Sequence, residues 1–235
     1  SKRRRWDKLP HSVKSHNSVL IRKLGESEMY LQYNKIKNLE IAIKAINGIV
    51  ILSGETFSFC RLVGLPTRRK GYVEGMEISQ GIPRPGIGGG ICQISNLLYW
   101  VVLHSDLTVT ERSHHGYDPF PDNNRVLPFG SGATVFYNYI DLQVENRTPA
   151  KFQINLWLTD KCLEGELRTN IEPMFTYSIF EKNSEFIEKE GQYFRSNEIW
   201  RTKMLRRGGQ FITQELVVKN YARVKYIPDQ YKKST

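Results

Sequence analysis

The sequence predicts an α+β fold in which a few helices pack on an antiparallel sheet, with a small β-rich C-terminal extension. Two stretches show the apolar spacing of helices that face a core. Later segments are rich in β-branched and aromatic residues and alternate with turn signals, which is typical of antiparallel strands. Hydrophobic residues make up 40% and charged residues 25% of the chain, as in globular proteins and unlike disordered ones.

The chain length bounds the number of domains. At 235 residues the chain is long for one domain and short for two. We therefore expect a basic N-terminal arm over residues 1–30, a core domain over residues 31–170 and a β-rich extension over residues 171–235. The boundary before the extension is expected between Asn170 and Met174.

The first third of the chain predicts an arm, a helix and two short strands. Ser1 to Gly25 is basic and polar without a clear period, so we expect an extended arm or a short helix. Asn38 to Asn47 has the apolar spacing of a helix, with Asn38 as the expected N-terminal cap and Gly48 as the stop. Two strands are expected next: Ile49 to Leu52 and Thr56 to Phe59.

The remaining elements are a loop, a buried helix and a series of strands. Gly64 to Gly90 is rich in Gly, Pro and Arg and has no periodic segment, so it predicts a long loop. Gln93 to His104 is apolar nearly all round and predicts a buried helix. Strands are then expected at Leu107 to Arg112, Ala133 to Val144, Phe152 to Leu158 and Leu163 to Thr169. The tail, Phe175 to Ile227, predicts short hairpin strands with turns at Glu190-Gly191 and Gly208-Gly209.

Charge and cysteine usage narrow the partners and cofactors. The formal net charge is +10, from 34 Lys+Arg against 24 Asp+Glu, and it favours an anionic membrane surface, an anionic wall polymer or nucleic acid as partner. The sequence has no helix-turn-helix or RNA-recognition signature, which argues against nucleic acid. The three cysteines are far apart and form no Cys-x-x-Cys pair, so neither a metal site, a cofactor nor a disulfide framework is predicted.

Targeting signals are not evident in the sequence. The basic start is not followed by the apolar segment of a signal peptide. No apolar run approaches the length of about 18 residues that spans a bilayer. We expect a cytoplasmic protein, or a cell-envelope protein if the native start lies outside this sequence.

Three consecutive glycines precede Cys92 and the predicted buried helix. Glycine frees the backbone from side-chain sterics, so the chain can turn sharply, and a substrate can approach the main chain closely at Gly89 and Gly90. A thiol in the first helical turn lies near the positive end of the helix dipole, which lowers its pKa. The N–H groups there can hold a developing oxyanion. The pattern predicts Cys92 as a nucleophile, with a small buried hydrophobic residue as the alternative.

Polar residues near Cys92 are the predicted substrate-binding groups. Ser95 and Asn96 follow it by three and four residues, so they share its face of the helix. Gln93 is next in sequence and can reach over the cleft as a side-chain donor. Arg112 is a further candidate because a guanidinium can bind a substrate carboxylate bidentately, although an exposed surface position is the alternative.

A cysteine nucleophile needs a base, and five histidines are available. Two lie in the basic arm, and His104 ends the Cys92 helix, about 18 Å from the thiol at 1.5 Å per residue. That leaves His114 and His115, which follow a predicted strand; two surface loop histidines are the alternative.

A third group should orient the imidazole. Asp118, Asp141 and Asn146 are the candidates, and we expect Asp118 to be exposed to solvent.

Several motifs together resemble the VanW family. They cover residues 38–146 well and the ends of the chain weakly, and the glycine–cysteine block is the most specific. The matching motifs are Gly54-Glu55-Thr56-Phe57-Ser58-Phe59, Gly71-Tyr72, the block from Gly88 through Cys92 to Trp100, Glu111-Arg112-Ser113-His114-His115, and Ala133-Thr134-Val135 followed by Asp141.

The resemblance implies a reaction class that the residues alone do not supply. Some proteins with this domain act as L,D-transpeptidases and form an acyl enzyme between the motif cysteine and a peptidoglycan stem peptide, which links the family to glycopeptide resistance. Carried over, it implies Cys92 as nucleophile and His115 in preference to His114 as base, whereas Asp141, which lies in the matching stretch, stays a candidate for the third group. The implied partner is a peptidoglycan stem peptide or its precursor. Many members have Asp directly before Ala-Thr-Val, where this sequence has Gly132. A non-catalytic envelope accessory or binding protein with a structural cysteine is the alternative.

Overall fold

The computed structural model describes residues 4, 7–21, 29–79, 81–119, 121 and 126–231. Within these residues the elements follow in the order β1 (His11–Val19), α1 (Met29–Ile46), β2 (Val50–Ile51), β3 (Thr56–Ser58), α2 (Phe59–Val63), a 3-10 turn (Arg68–Lys70), β4 (Glu74–Ser79), β5 (Ile82–Ile87), α3 (Cys92–Leu103), β6 (Thr108–Glu111), β7 (Tyr117–Asp118), β8 (Gln143–Glu145), β9 (Phe152–Leu158), β10 (Cys162–Thr169), β11 (Phe175–Lys189), β12 (Gln192–Leu205), β13 (Phe211–Val224) and a 3-10 turn (Asp229–Tyr231).

The α+β prediction is confirmed. The strands form sheets in the orders β1-β10-β9-β2, β3-β8-β6, β4-β5 and β11-β12-β13-β7. Neighbouring strands are antiparallel, except β7, which joins β13 in parallel. None of the helices in the described part of the chain is long and apolar enough to cross a membrane.

The main core lies between α1, α3 and the β1-β10-β9-β2 sheet. The apolar face of α1 contributes Leu39 and Ile46, and α3 contributes Ile94 and Leu97, all buried. Gly165 on β10 leaves room for Leu97, because a Cβ atom at this glycine would lie 2.1 Å from the leucine Cδ2. The buried helix predicted from Gln93 to His104 is therefore confirmed within one residue at each end.

The predicted start of α1 is wrong. Asn38 lies inside the helix and does not cap it. Its side-chain amide donates to the carbonyls of Val73 and Gly89 at 3.0 and 2.9 Å, and it accepts from the Val73 N–H at 2.9 Å. Apolar spacing does not predict the first half of α1, because two of its buried positions hold the polar residues Gln32 and Lys35.

The long loop predicted from Gly64 to Gly90 is also wrong. It contains the β4–β5 hairpin, in which Pro83 and Pro85 face Ile78 and Met76 across the ladder. A proline has no N–H, so these alternating positions fit only where the N–H would point away from β4. The outer edge of β5 consequently has fewer donors, which protects it from pairing with another strand.

The strand predicted from Ala133 to Val144 is wrong over most of its length, because the chain turns back on itself at Phe136–Ile140. The N–H of Phe136 donates to the Ile140 carbonyl at 2.8 Å, and Asn138 adopts a left-handed φ of 66°. We call this segment the aromatic turn, residues 136–140. Only Gln143–Glu145 forms a regular strand here.

The two ends of the chain are extended. In the N-terminal arm His11–Val19 forms β1, which pairs with β10; residues 1–3, 5–6 and 22–28 lie outside the described residues. The C-terminal turns fall at Glu190-Gly191 and Gly208-Gly209 as predicted, but the strands are not short and run for 15, 14 and 14 residues. The division into arm, core and extension stays a prediction.

His104 predicts a loss of stability on acidification. The imidazole is buried at the end of α3, with Nδ1 2.8 Å from the Trp100 carbonyl oxygen. Burial lowers the pKa of His104 to about 4, and the nearby cations Lys14, His16 and Arg201 act in the same direction. In the unfolded chain the group titrates near its ordinary pKa of about 6.5. The folded form binds fewer protons, so the free energy of unfolding should fall between pH 6.5 and 4 by about 3 kcal/mol.

Urea unfolding of the wild type and of His104→Phe at pH 7.5 and pH 4.5 tests this expectation. The difference between the two pH values should be smaller in His104→Phe. The variant His11→Gln, altered on β1, should keep the wild-type difference. An equal pH dependence in the wild type and His104→Phe would contradict the assignment.

Candidate functional site

The turn formed by Gly88, Gly89 and Gly90, which we call the glycine turn, positions Cys92 as the first residue of α3. Gly88 and Gly90 have left-handed φ values of 80° and 95°, which L side chains rarely adopt. The N–H of Ile91 donates to Gly88 at 3.4 Å and that of Gln93 to Gly90 at 3.0 Å, so the turn leads directly into the helix. The predicted position of the thiol in the first helical turn is confirmed.

The glycines also allow the chain to pack closely on itself. A Cβ atom at Gly89 would lie 2.2 Å from the Gly75 carbonyl oxygen, and one at Gly90 would lie 2.2 Å from Lys35 Cγ. The space beside these two glycines is thus filled by β4 and α1. Close packing therefore explains why both positions are glycine, without any role in substrate binding. Both residues also line the cleft described below.

The Cys92 side chain is half-buried, and its Sγ lies 3.6 Å from the Val135 carbonyl oxygen. Burial raises the pKa of the Cys92 thiol, and the negative charge of Glu77 acts in the same direction. Backbone hydrogen bonds at Val135 and at Cys92 itself lower it, but by less. The pKa lowering predicted from the helix start is therefore wrong: desolvation outweighs it, and the thiol is neutral at pH 7.

Cys92 lies in a cleft of about 820 Å³, a volume typical of small-molecule sites. The glycine turn and the start of α3 form one side, and the aromatic turn and the β4–β5 hairpin form the others. Most lining side chains are apolar, among them Val63, Leu65, Met76, Ile87 and Phe136. Lys35, Glu77 and Arg84 are the formally charged side chains among the described lining residues.

Of the two candidate histidines, His115 lines the cleft together with Cys92, whereas His114 does not. Burial lowers the pKa of His115, so the imidazole is neutral at pH 7 and able to accept a proton. His114 lies outside the cleft, with Nδ1 3.0 Å from the His115 carbonyl oxygen and its ring against Phe129. Among the described residues no hydrogen bond joins the thiol to His115, so proton transfer needs a closer approach of the ring within the cleft.

Asp141, a candidate for the group that orients the histidine, binds mainly backbone N–H groups. Its carboxylate accepts from the N–H groups of Cys60 and Leu142, both at 2.8 Å, and from the Ser58 hydroxyl at 2.5 Å. In the described part of the chain no hydrogen bond connects it to His115. Asp141 thereby fixes the end of the aromatic turn against α2.

Asp118 and Asn146, the other two candidates for the third group, also make their polar contacts with other residues. Asp118 is 3% exposed and lies 3.5 Å from the Arg195 guanidinium, so the expectation that it is solvent-exposed is wrong. Tyr226 also donates to it at 3.1 Å. Asn146 is buried and donates to the Ala150 carbonyl at 2.7 Å.

Ser95 and Asn96 attach Ala133, which precedes the aromatic turn by three residues, to α3. The Ser95 hydroxyl donates to the Ala133 carbonyl at 2.7 Å, and Asn96 Oδ1 accepts from the Ala133 N–H at 2.8 Å. Ser95 is buried, whereas Asn96 lines the cleft. Gly132 leaves space for this anchor, because a Cβ atom there would lie 2.5 Å from Asn96 Oδ1.

Gln93 connects the site to the N-terminal strand. Its Nε2 donates to the Ser18 hydroxyl and to the Val19 carbonyl, both at 2.9 Å. Its Oε1 is buried with no hydrogen-bond partner among the described residues. Gln93 also lines the cleft, next in sequence to Cys92.

Arg112 is not part of the Cys92 cleft. Its guanidinium donates to the carbonyls of Gly132, at 2.8 Å, and Gly130, and it lies 5.0 Å over the Tyr99 ring. Burial lowers its pKa. The side chain lines a second, smaller pocket of about 200 Å³ with His114 and His115, so His115 borders both pockets. The structure thus brings together Cys92, His115, Gly89, Gly90, Gln93 and Asn96, and places Arg112, His114 and Asp141 outside the cleft.

A second thiol and an ion pair also line the cleft, and neither was predicted from the sequence. Cys60 Sγ lies 3.4 Å from the Ile140 carbonyl oxygen, and burial, with the charge of Asp141 adding to it, raises the pKa of Cys60 to about 12. Glu77 and Arg84 pair at 2.7 Å across the β4–β5 hairpin. No pattern marks these residues, because they enter the site through a hairpin and a short helix that apolar spacing does not reveal. No cluster of metal-ligating side chains occurs within the described residues.

Comparisons with known proteins place the site in context. A family model described as VanW like protein matches residues 34–168, which include Cys92 and His115. The chain is 34% identical over 199 residues to the Vancomycin B-type resistance protein VanW of Enterococcus faecalis, covering 85% of this chain and 72% of that protein. It is also 34% identical over 146 residues to the uncharacterized protein YoaR of Bacillus subtilis, covering 60% of this chain and 46% of YoaR. No solved structure matches the chain.

Proposed function

This chain belongs to the VanW family, and we propose that it transfers acyl groups of peptidoglycan stem peptides through a thioester at Cys92, as an L,D-transpeptidase does. The observation that carries the proposal is the single cleft that holds both Cys92, at the start of a helix, and the neutral His115. The printed name of the Enterococcus relative connects that protein with vancomycin resistance, and we extend the link with glycopeptide resistance to this chain as part of the proposal.

In the proposed first step His115 accepts the thiol proton while Cys92 Sγ attacks the carbonyl carbon of a peptide bond in the stem peptide. The S–C bond forms and the C–N bond breaks. The leaving amine takes the proton from His115, which returns the base to its neutral form. In the second step an acceptor amine attacks the thioester carbonyl, the S–C bond breaks, and the proton lost by the amine passes through His115 to the departing thiolate. The net change is exchange of one amide for another, with no oxidant or metal.

The raised pKa of Cys92 fits a thiol that is activated only with its substrate. A neutral thiol avoids the cost of an unpaired charge in an apolar cleft. The oxyanion of the tetrahedral intermediate would form beside the Cys92 N–H at the first turn of α3, where the positive end of the helix dipole stabilises it. In this proposal Asn96, whose exposed side chain lines the cleft, contributes a side-chain hydrogen bond to a substrate amide.

Detection of the acyl enzyme tests the proposal. The full chain is incubated with a synthetic stem tetrapeptide and analysed by intact-mass and peptide-level mass spectrometry. We expect an adduct on Cys92 equal in mass to the acyl fragment, and no adduct in Cys92→Ser. The matched control Cys162→Ser alters a half-buried cysteine on β10, outside the cleft, and should acylate like the wild type. An unmodified Cys92 with stem peptides of either L- or D-terminal configuration would refute the proposal.

A non-catalytic envelope protein is the second candidate. The raised pKa and half-buried position of Cys92 favour it, since a structural cysteine has these properties. The net charge of +10 suits an anionic membrane or wall polymer as partner. Complementation in cells separates the two candidates: full restoration of the phenotype by Cys92→Ala would favour the accessory role over catalysis.

A further inference from the structure

The aromatic turn presents two exposed rings at the rim of the Cys92 cleft. Phe136 is 56% exposed and Tyr139 is 79% exposed, although large aromatic side chains are usually covered. Both residues line the cleft. Their ring centroids are 5.4 Å apart and the ring planes are inclined by 33°, so the two rings are in contact and form one exposed apolar surface, which we call the platform.

The backbone that carries the platform is held in place by hydrogen bonds, so the two rings project from a defined position at the rim. Backbone hydrogen bonds of 2.8 to 2.9 Å close the turn, and the left-handed Asn138 shapes its tip. One end is attached to the helices through Ser95 and Asn96, and the other end through Asp141. Rigid aromatic side chains lose little entropy when a ligand stacks on them.

The platform also begins directly beside the reacting thiol. Cys92 Sγ contacts the carbonyl oxygen of Val135, and Phe136 is the next residue. A substrate acyl group on Cys92 would therefore extend past the two rings. A few residues of extended peptide, at about 3.3 Å each, connect the thiol with a group seated on the rim.

We propose that Phe136 and Tyr139 form a saccharide subsite, which stacks against the pyranose ring of an N-acylated amino sugar attached to the stem peptide. This inference rests on the proposed function, because the sugar reaches the rim only when a stem peptide occupies the cleft. A pyranose has an apolar C–H face that suits an aromatic ring and a hydroxyl-bearing edge that must stay hydrated or hydrogen-bonded. The rim provides both, with the exposed Asn138 carboxamide and the Tyr139 hydroxyl beside the rings.

The surroundings favour a sugar over a lipid chain as occupant. A lipid chain gains most from a groove that covers it on all sides, whereas this platform is open to solvent on one face. Apolar side chains deeper in the cleft suit the peptide part of the substrate. The subsite would make the enzyme prefer glycan-linked stem peptides to free peptides.

Calorimetric binding of two probes to the full chain carrying Cys92→Ser, which prevents turnover, tests the subsite. The probes are a free stem tetrapeptide and the same tetrapeptide on an N-acetylglucosaminyl–N-acetylmuramic acid disaccharide. We expect the disaccharide probe to bind at least about fivefold more tightly, a typical value for one stacking contact. Adding Phe136→Ala or Tyr139→Ala should remove this preference while the affinity for the free tetrapeptide stays within about twofold. Tyr33→Ala, which removes a 59% exposed ring on α1 outside the cleft, should leave the preference intact.

Three results would overturn the subsite: equal affinity for both probes before the aromatic change, equal weakening of both probes by that change, or binding of neither probe. The acyl-enzyme experiment reports separately on the chemistry. An adduct at Cys92 together with equal probe affinities rejects the subsite alone. A sugar preference without an adduct rejects the transferase proposal and leaves the binding site.

Discussion

Replacement of His115 by alanine should slow acyl transfer by about 10²- to 10⁴-fold, the range for loss of a positioned general base. His115 lines the cleft with Cys92, and burial lowers its pKa, so it is in the proton-accepting form at neutral pH. The thiol depends strongly on such a base because its own pKa is raised and little thiolate forms spontaneously. The rate is measured as stem-peptide cross-linking at saturating donor.

The adjacent histidine provides a matched control. His114 faces Phe129 and lies outside the cleft, so His114→Gln should change the rate by less than about threefold, as expected of a residue without a role in proton transfer. The pH profile adds an independent check. Because the pKa of His115 is lowered, the acid limb of the rate should lie below pH 6.5, the ordinary value for histidine. Equal losses in both variants, or an acid limb at or above pH 6.5, would exclude His115 as the base.

The position of Cys92 at the start of a buried helix is well predicted from the sequence, because the signal is local. Three glycines, a cysteine and an apolar helix fall within one short stretch, and each has a direct conformational meaning. The structure accordingly begins α3 at Cys92. The sign of the thiol pKa shift could not be read in the same way. It depends on desolvation by distant parts of the chain, and on the charge of Glu77 from a hairpin that the sequence suggested was a loop.

Residues separated widely along the chain were the least predictable. Arg112 and Asp141 are charged, isolated and close to the motifs, which makes them reasonable site candidates. In the structure each binds backbone groups, a role that cannot be predicted from the residue type. Asp118 shows the same limit, since its burial depends on the C-terminal sheet that covers it. The rim of the cleft was not predicted, because the residues around Asn138 have the sequence pattern of a strand. Only the left-handed turn exposes their rings.

Replacement of Asp141 by alanine should lower the free energy of unfolding by about 3 to 4 kcal/mol, because several donors lose their acceptor at once. The carboxylate accepts from two backbone N–H groups, of Cys60 and Leu142, and from the Ser58 hydroxyl. An unsatisfied buried donor costs about 1 to 3 kcal/mol, and water can reach some of this site, so the sum is at the lower end. Urea unfolding at pH 7.5 measures the change. Glu188→Ala, which alters an exposed carboxylate on β11, should change stability by less than about 0.5 kcal/mol.

A second variant at Asp141 distinguishes a structural role from the orienting role for which this residue was a candidate. Asp141→Asn keeps the shape and one acceptor oxygen, so most of the fold is retained for kinetic measurements. If Asp141 acts only through the backbone network, the acid limb of the pH–rate profile stays at the wild-type position. If it oriented or charged His115, loss of the negative charge would move that limb to lower pH, because the imidazolium would lose a stabilising partner. The network at Cys60, Leu142 and Ser58 predicts the first result, and a shift of the limb by one pH unit or more would contradict it.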